Sequence, residues 1–185
     1  GWIVQNTETL HNSNRAWNAG EPLTRKYVHI DGEVPQHRFL DVPLGTPVQA
    51  ILERAFPAES TLPSETVLAH GGPGWCFPIE EPPEEFGVHK HTNGILVLHE
   101  ETVEQNTLGE DRINVLEAYD WTNRNLETEP TARVEPTYVR IPLVTNADLS
   151  GVVGPSDPSV SVGDDVEAGD IVATPTTDGV SIPQH

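Results

Sequence analysis

Residues 26–56 read KYVHIDGEVPQHRFLDVPLGTPVQAILERAF, and the fold class turns on how the hydrophobic period changes along this stretch. Tyr27, His29 and Asp31 alternate with Val28 and Ile30, the two-residue period of a half-buried strand. Gly32 and Pro35 mark a turn, and residues 39–42 begin a second short strand. Gly45 ends that strand. Thr46 then offers an N-cap, Pro47 suits a first helical position, and Gln49 stands where a capping box needs it. Val48, Ile51, Leu52 and Ala55 fall on one helical face. A hairpin followed at once by a helix that must cover it opens a small α+β sheet.

Outward from this centre, residues 7–17 form a candidate helix with Leu10, Asn14 and Trp17 on one side, broken by Gly20 and Pro22. Residues 67–70 read as a strand stopped by Gly71-Gly72-Pro73-Gly74, and 80–85 as an exposed acidic, proline-rich loop. Asn93-Gly94 is a turn signal before the most strand-like run, 95–98. Residues 100–125 carry a patchy helical pattern with Ile113, Leu116 and Trp121 as the buried side chains, and 126–136 read as a linker. From Tyr138 the texture is all-β: YVRIPLV, then SVSVGDDVEAGDIVATP, short strands separated by Gly-Asp turns. The expected organisation is a lead-in over 1–23, an α+β domain with a helical extension over 24–128, and a small β module over 137–185 with a strand still owed.

Charge narrows the function. Lys+Arg 10 against Asp+Glu 29 gives −19 over 185 residues, a surface that repels nucleic acid and anionic lipid. Lys26 and Lys90 are the only lysines. Excess carboxylate with little lysine resembles proteins of extreme halophiles, which stay soluble in concentrated salt. Cys76, the single cysteine, rules out an internal disulfide and any cluster needing several thiolates from this chain. No window approaches the roughly 20 apolar residues of a membrane span. The expectation is a soluble, cytoplasmic protein. A start in GWIV without any methionine suggests a piece of a longer protein.

The candidate ligand site is Gly71, Gly72, Pro73 and Trp75, with Lys90, Thr92 and Asn93 adding polar contacts. Glycines let a ligand approach backbone N–H groups, and an indole offers a stacking face. Tight-turn geometry and a core-packing tryptophan explain the same residues without a ligand. His70, Cys76, His89 and His91 are the one group of soft ligands, but a zinc site needs convergence that their spacing does not demand, so no metal is assigned. Ser64 and His70 lack a nucleophile-elbow motif, and paired carboxylates carry no information in a chain this acidic, so no catalytic residue is assigned. No lysine follows Lys90, which excludes lipoyl or biotinyl attachment in the 161–175 hairpin.

Three stretches together resemble one family. NTETLHN with GEPLTRKYVHIDGEV and VPLGTPVQAIL is similar to the soluble-ligand-binding β-grasp segment of the complex I flavoprotein subunit, the Rnf complex C subunit and the propanediol-utilisation cobalamin reductase. HGGPGWCFP with VHKHTNGILVL resembles the Gly-Gly-Pro turn and Lys-x-Thr-Asn-Gly segment that end that region in Rnf-type members. SVGDDVEAGDIVATP resembles their barrel-sandwich hybrid hairpin. The resemblance implies a β-grasp domain followed by an incomplete barrel-sandwich module.

This sequence departs from the family in two places. It carries no Gly-rich phosphate loop of an FMN- and NADH-binding domain, and no Cys-x-x-Cys-x-x-Cys motifs between residues 100 and 135. The implied function is therefore a non-catalytic ligand- or subunit-docking portion of an NADH-linked electron-transfer protein. FMN and iron–sulfur clusters are expected only in the parent family, and the partners are other subunits of the complex. The alternatives are a free-standing β-grasp protein binding cobalamin or a saccharide, and a structural protein using its acidic face.

Overall fold

The computed structural model describes residues 4–57, 62–109, 112–124, 127–140, 156–161, 163–167 and 169–175. The chain divides into two units, Gly1–Ile141 and Pro142–His185. The first contains α1 (Thr7–Ala19), β1 (Arg25–Gly32), β2 (Arg38–Pro43), α2 (Val48–Ala55), β3 (Thr66–Gly72), β4 (Trp75–Pro78), β5 (Gly94–His99), α3 (Glu100–Asn106) and β6 (Ala132–Arg133). The second contains β7 (Ser156–Pro158) and β8 (Ala173–Pro175).

Six strands of the first unit form one mixed sheet in the order β4-β3-β5-β1-β2-β6, so the class is α+β as the sequence implies. The hairpin partners β1 and β2 are antiparallel, β1 and β5 run parallel, and β3 is antiparallel to both β5 and β4. Alternation along β1 sends Val28 and Ile30 to one face, where they meet Leu40, Val42, Ile95 and Val97 beneath the apolar stripe Val48, Ile51, Leu52 and Ala55 of α2. Leu96 and Leu98 of β5 point the other way, into a second core with Ala69, Cys76, Ile113, Val115 and Trp121. Each such large aliphatic side chain, fully buried, contributes about 1.5–3 kcal/mol.

The start of α2 differs from the sequence expectation. Its N-cap is Pro47, with no side-chain cap, and the Thr46 hydroxyl donates instead to the Pro43 carbonyl at 2.7 Å. The first helical N–H groups are satisfied from a distance: Val48 N–H donates to the Phe86 carbonyl and Gln49 N–H to that of Pro83. The acidic, proline-rich loop is thus the cap of α2.

Two further expectations are corrected. The helical pattern over 100–125 ends at Asn106, because Ile113 exchanges backbone hydrogen bonds with Cys76 and Val115 N–H donates to the Pro73 carbonyl, which draws this segment out along the edge of β4. Ile113 and Trp121 are buried as expected. The expected linker 126–136 is not free over its described residues. Ala132 and Arg133 pair with Leu40 and Asp41, and Val134 is buried in the first core, so the first unit runs past residue 128 and residue 137.

In the second unit β7 pairs antiparallel with β8, Ser156 opposite Pro175. Two turns repeat one device: Asp164 accepts from the Ser161 N–H and Asp170 from the Glu167 N–H, each at 2.8 Å. Of the expected strand YVRIPLV, residues 138–140 are described and are not strand, and the remainder lies outside the described residues. Among the described residues no helix is long and apolar enough to cross a membrane.

Candidate functional site

The site follows from a mismatch between two paired strands. Strand β1 begins at Arg25, but its parallel partner β5 begins opposite His29, so the first residues of β1 run on without β5 beside them. The Asn93 carbonyl accepts from His29 N–H at 3.2 Å, and beyond it the Tyr27 N–H is taken by Glu8 Oε1 of α1 at 3.0 Å. The alternation that buries Val28 and Ile30 also buries Lys26, which is 5% exposed. Its ammonium donates to Glu8 Oε2 at 2.5 Å and to Asn93 Oδ1 at 3.0 Å. A buried ammonium requires such partners, because desolvation costs several kcal/mol. None of the side chains of α1 is buried, so the Glu8 carboxylate is what fastens this helix to β1.

Between α1 and the 90–93 segment lies a cleft of about 490 Å³, lined by Asn6, Glu8, Asn12, Ser13, Lys26, Leu44, Lys90, His91 and Asn93 among others. Lys90 is exposed and makes no ion pair among the described residues. The structure thus joins Lys90 and Asn93, but it does not bring the rest of the sequence-derived site to them. Thr92 is fully buried, and its hydroxyl accepts from His89 N–H to close the 89–92 turn. Gly71 has φ +123°, and a Cβ there would lie 2.6 Å from the Trp75 carbonyl oxygen, so the fold itself demands glycine. Gly72 has open space around it, and Pro73 offers its carbonyl to Val115. Trp75 is neither in the core nor in the cleft. It is 59% exposed, with the Arg112 guanidinium 4.5 Å above its ring.

Local sequence motifs do not single out Glu8 and Lys26. The signal was present: a lysine that continues the buried stripe of Val28 and Ile30 must find a carboxylate.

The soft-ligand group divides across the sheet. His70 and His89 lie 5.1 Å apart, ring centroid to ring centroid, against Phe86, and burial lowers both pKa values to about 4. Cys76 belongs to the second core, its thiol donates to the Ile113 carbonyl, and burial raises its pKa to about 11. As the single cysteine of the sequence it cannot supply the several thiolates a cluster needs. Among the described residues no group of three His, Cys, Asp or Glu is placed to hold a metal ion.

A second cleft, about 460 Å³, opens near the β1–β2 turn and is lined by His29, Asp31, Gln36, His37, Arg38, Arg124 and Glu127. Asp31 is 2% exposed and accepts from Arg124 and from its neighbour Gly32 N–H, with His37 Nδ1 2.7 Å from its carboxylate. His29 stacks on Phe39 at 4.1 Å, with burial lowering its pKa. No family model matches this sequence, and no curated protein matches it.

Proposed function

We propose that the chain is a non-catalytic, soluble-ligand-binding β-grasp module that docks a ligand or subunit in an NADH-linked electron-transfer protein of the Rnf or complex I type. The observation that carries this reading is the cleft at the β1–β5 step, where the Lys-x-Thr-Asn-Gly segment supplies Lys90 and Asn93 opposite α1. The strand order supports it too: a hairpin, a covering helix, then an antiparallel pair whose inner strand lies parallel beside β1 is the arrangement a β-grasp requires. With one buried cysteine in this sequence, iron–sulfur chemistry would belong to other parts of the complex.

The cleft volume equally favours a free-standing ligand-binding β-grasp protein, since about 490 Å³ falls within the range of small-molecule sites. A saccharide fits such a volume, whereas a cobalamin would extend well beyond it. An in-frame Gly-rich flavin domain encoded upstream would favour the electron-transfer setting. Ligand binding itself is tested by titrating the full chain with cobalamins, nucleotides and sugars while following backbone amide resonances. Shifts confined to residues 8–16, 26–27 and 90–93 are expected, and silence across all three classes would overturn the ligand-binding reading.

A further inference from the structure

Lys26 and Lys90 are the only lysines in the sequence, and both line one cleft. The eight other basic residues are arginines, the remainder of Lys+Arg 10, and none of them lines it. Within the cleft Lys26 is already neutralised by Glu8 at 2.5 Å, with Asn93 as its second acceptor. One positive charge is therefore left over, on exposed Lys90, in a cleft that the neutral polar side chains of Asn12 and Ser13 also line. On a chain of net charge −19 the surrounding field repels anions, so an anion is retained only where a local cation faces it. Lysine serves as a point charge with three rotatable donors, suited to carboxylate or phosphate oxygens approached from one side.

We infer that the cleft takes a small hydroxylated ligand bearing a carboxylate or phosphate, its anionic oxygens on Lys90 Nζ and its hydroxyl groups on Asn12, Ser13 and Asn93. The inference deepens the ligand-binding reading and rests on it. Lys26 acts as a positioning residue: held between Glu8 and Asn93, it fixes α1 as one wall of the cleft and orients the Asn93 amide at the other.

The test uses three matched probes, glucose, gluconate and glucose 6-phosphate, titrated into the full chain at low salt with backbone amide shifts as the readout. Gluconate or glucose 6-phosphate is expected to shift the 90–93 amides at concentrations where glucose does not, and whichever is tighter identifies the anionic group. Lys90→Gln should weaken that binding by about three- to tenfold, as loss of a partly exposed charge pair does. Arg54→Gln, exposed on α2 and outside the cleft, should leave it unchanged. Binding of glucose as tight as that of its charged partners, or unchanged binding by Lys90→Gln, would overturn the anionic ligand while leaving a ligand-binding cleft. Silence of all three probes removes the inference, and silence extending to the wider panel removes the ligand-binding reading with it.

Discussion

His70 and His89 face each other edge to ring, 5.1 Å between centroids, both partly buried against Phe86. Neither is charged at neutral pH, because burial and the neighbouring imidazoles hold each pKa at about 4 against an ordinary 6.5. Unfolded, both would take up protons near pH 6.5. Between the two values the unfolded chain binds more protons than the folded one, so stability falls as pH drops through that window. The nearby charged or titratable groups are His91, Lys26 and Glu81, of which only Glu81 opposes the shift. Urea midpoints at pH 7 and pH 5 should differ, and His89→Gln should narrow the difference. An equal difference in the variant would show that other groups set the pH response.

Removing the Glu8 charge leaves Lys26 buried with Asn93 as its acceptor. Glu8→Gln is expected to destabilise the protein by about 1–3 kcal/mol, below the full cost of breaking a buried pair because Glu8 is 21% exposed. The loss should be concentrated in α1, whose amides would exchange faster with solvent while those of β5 stay protected. Pairing it with Lys26→Met should recover part of the loss, read as a double-mutant coupling.

Gly71 and Gly72 are adjacent but should respond very differently to alanine. Gly71→Ala places a Cβ against the Trp75 carbonyl at a positive φ, costing about 2 kcal/mol or more, whereas Gly72→Ala meets open space and should stay within about 0.5 kcal/mol of the parent. Thermal melts of the two variants would check this. A strong effect at Gly72 would indicate a requirement for glycine other than backbone geometry.

Asp31 depends on Arg124. Arg124→Gln leaves a buried carboxylate with His37 and the Gly32 N–H, an expected loss of about 2–4 kcal/mol. Adding Asp31→Asn should restore part of it, since the uncompensated charge is then gone. Denaturant midpoints of the three variants provide the comparison.

With −19 net charge, self-repulsion should destabilise the fold in dilute buffer. The melting temperature is expected to rise with added salt, most steeply below about 0.5 M, where the Debye length shortens fastest. A flat response from dilute buffer to molar salt would count against the halophilic expectation.

What was legible in the sequence was local and periodic. The stripe Val48, Ile51, Leu52 and Ala55 is buried in full, and the alternation of β1 holds residue by residue from Arg25 to Ile30. What was not legible depended on partners far along the chain. The α2 cap comes from Pro83 and Phe86 rather than Thr46, and Lys26 depends on Glu8, which stands 18 residues before it. β6 is two residues long, too short to show any period. The candidate site was half legible for the same reason: Lys90 and Asn93 share a local motif, while α1 and Lys26 join them only once β1 and β5 pair out of step.

Strand β5 lies between β3 and β1 in the sheet and is buried on both faces along residues 94–98. During synthesis, β1, β2 and α2 are all complete by Ala55, well before Gly94 begins β5. Until Gly94–His99 leaves the ribosome, the inner edge of β1 is open and neither core can close. The completed sheet is consequently a product of late, long-range pairing, which slows folding relative to a chain built from local contacts. A newly made chain would thus spend its most aggregation-prone interval with one edge of β1 unpaired, and self-repulsion among its many carboxylates would then act as a kinetic safeguard.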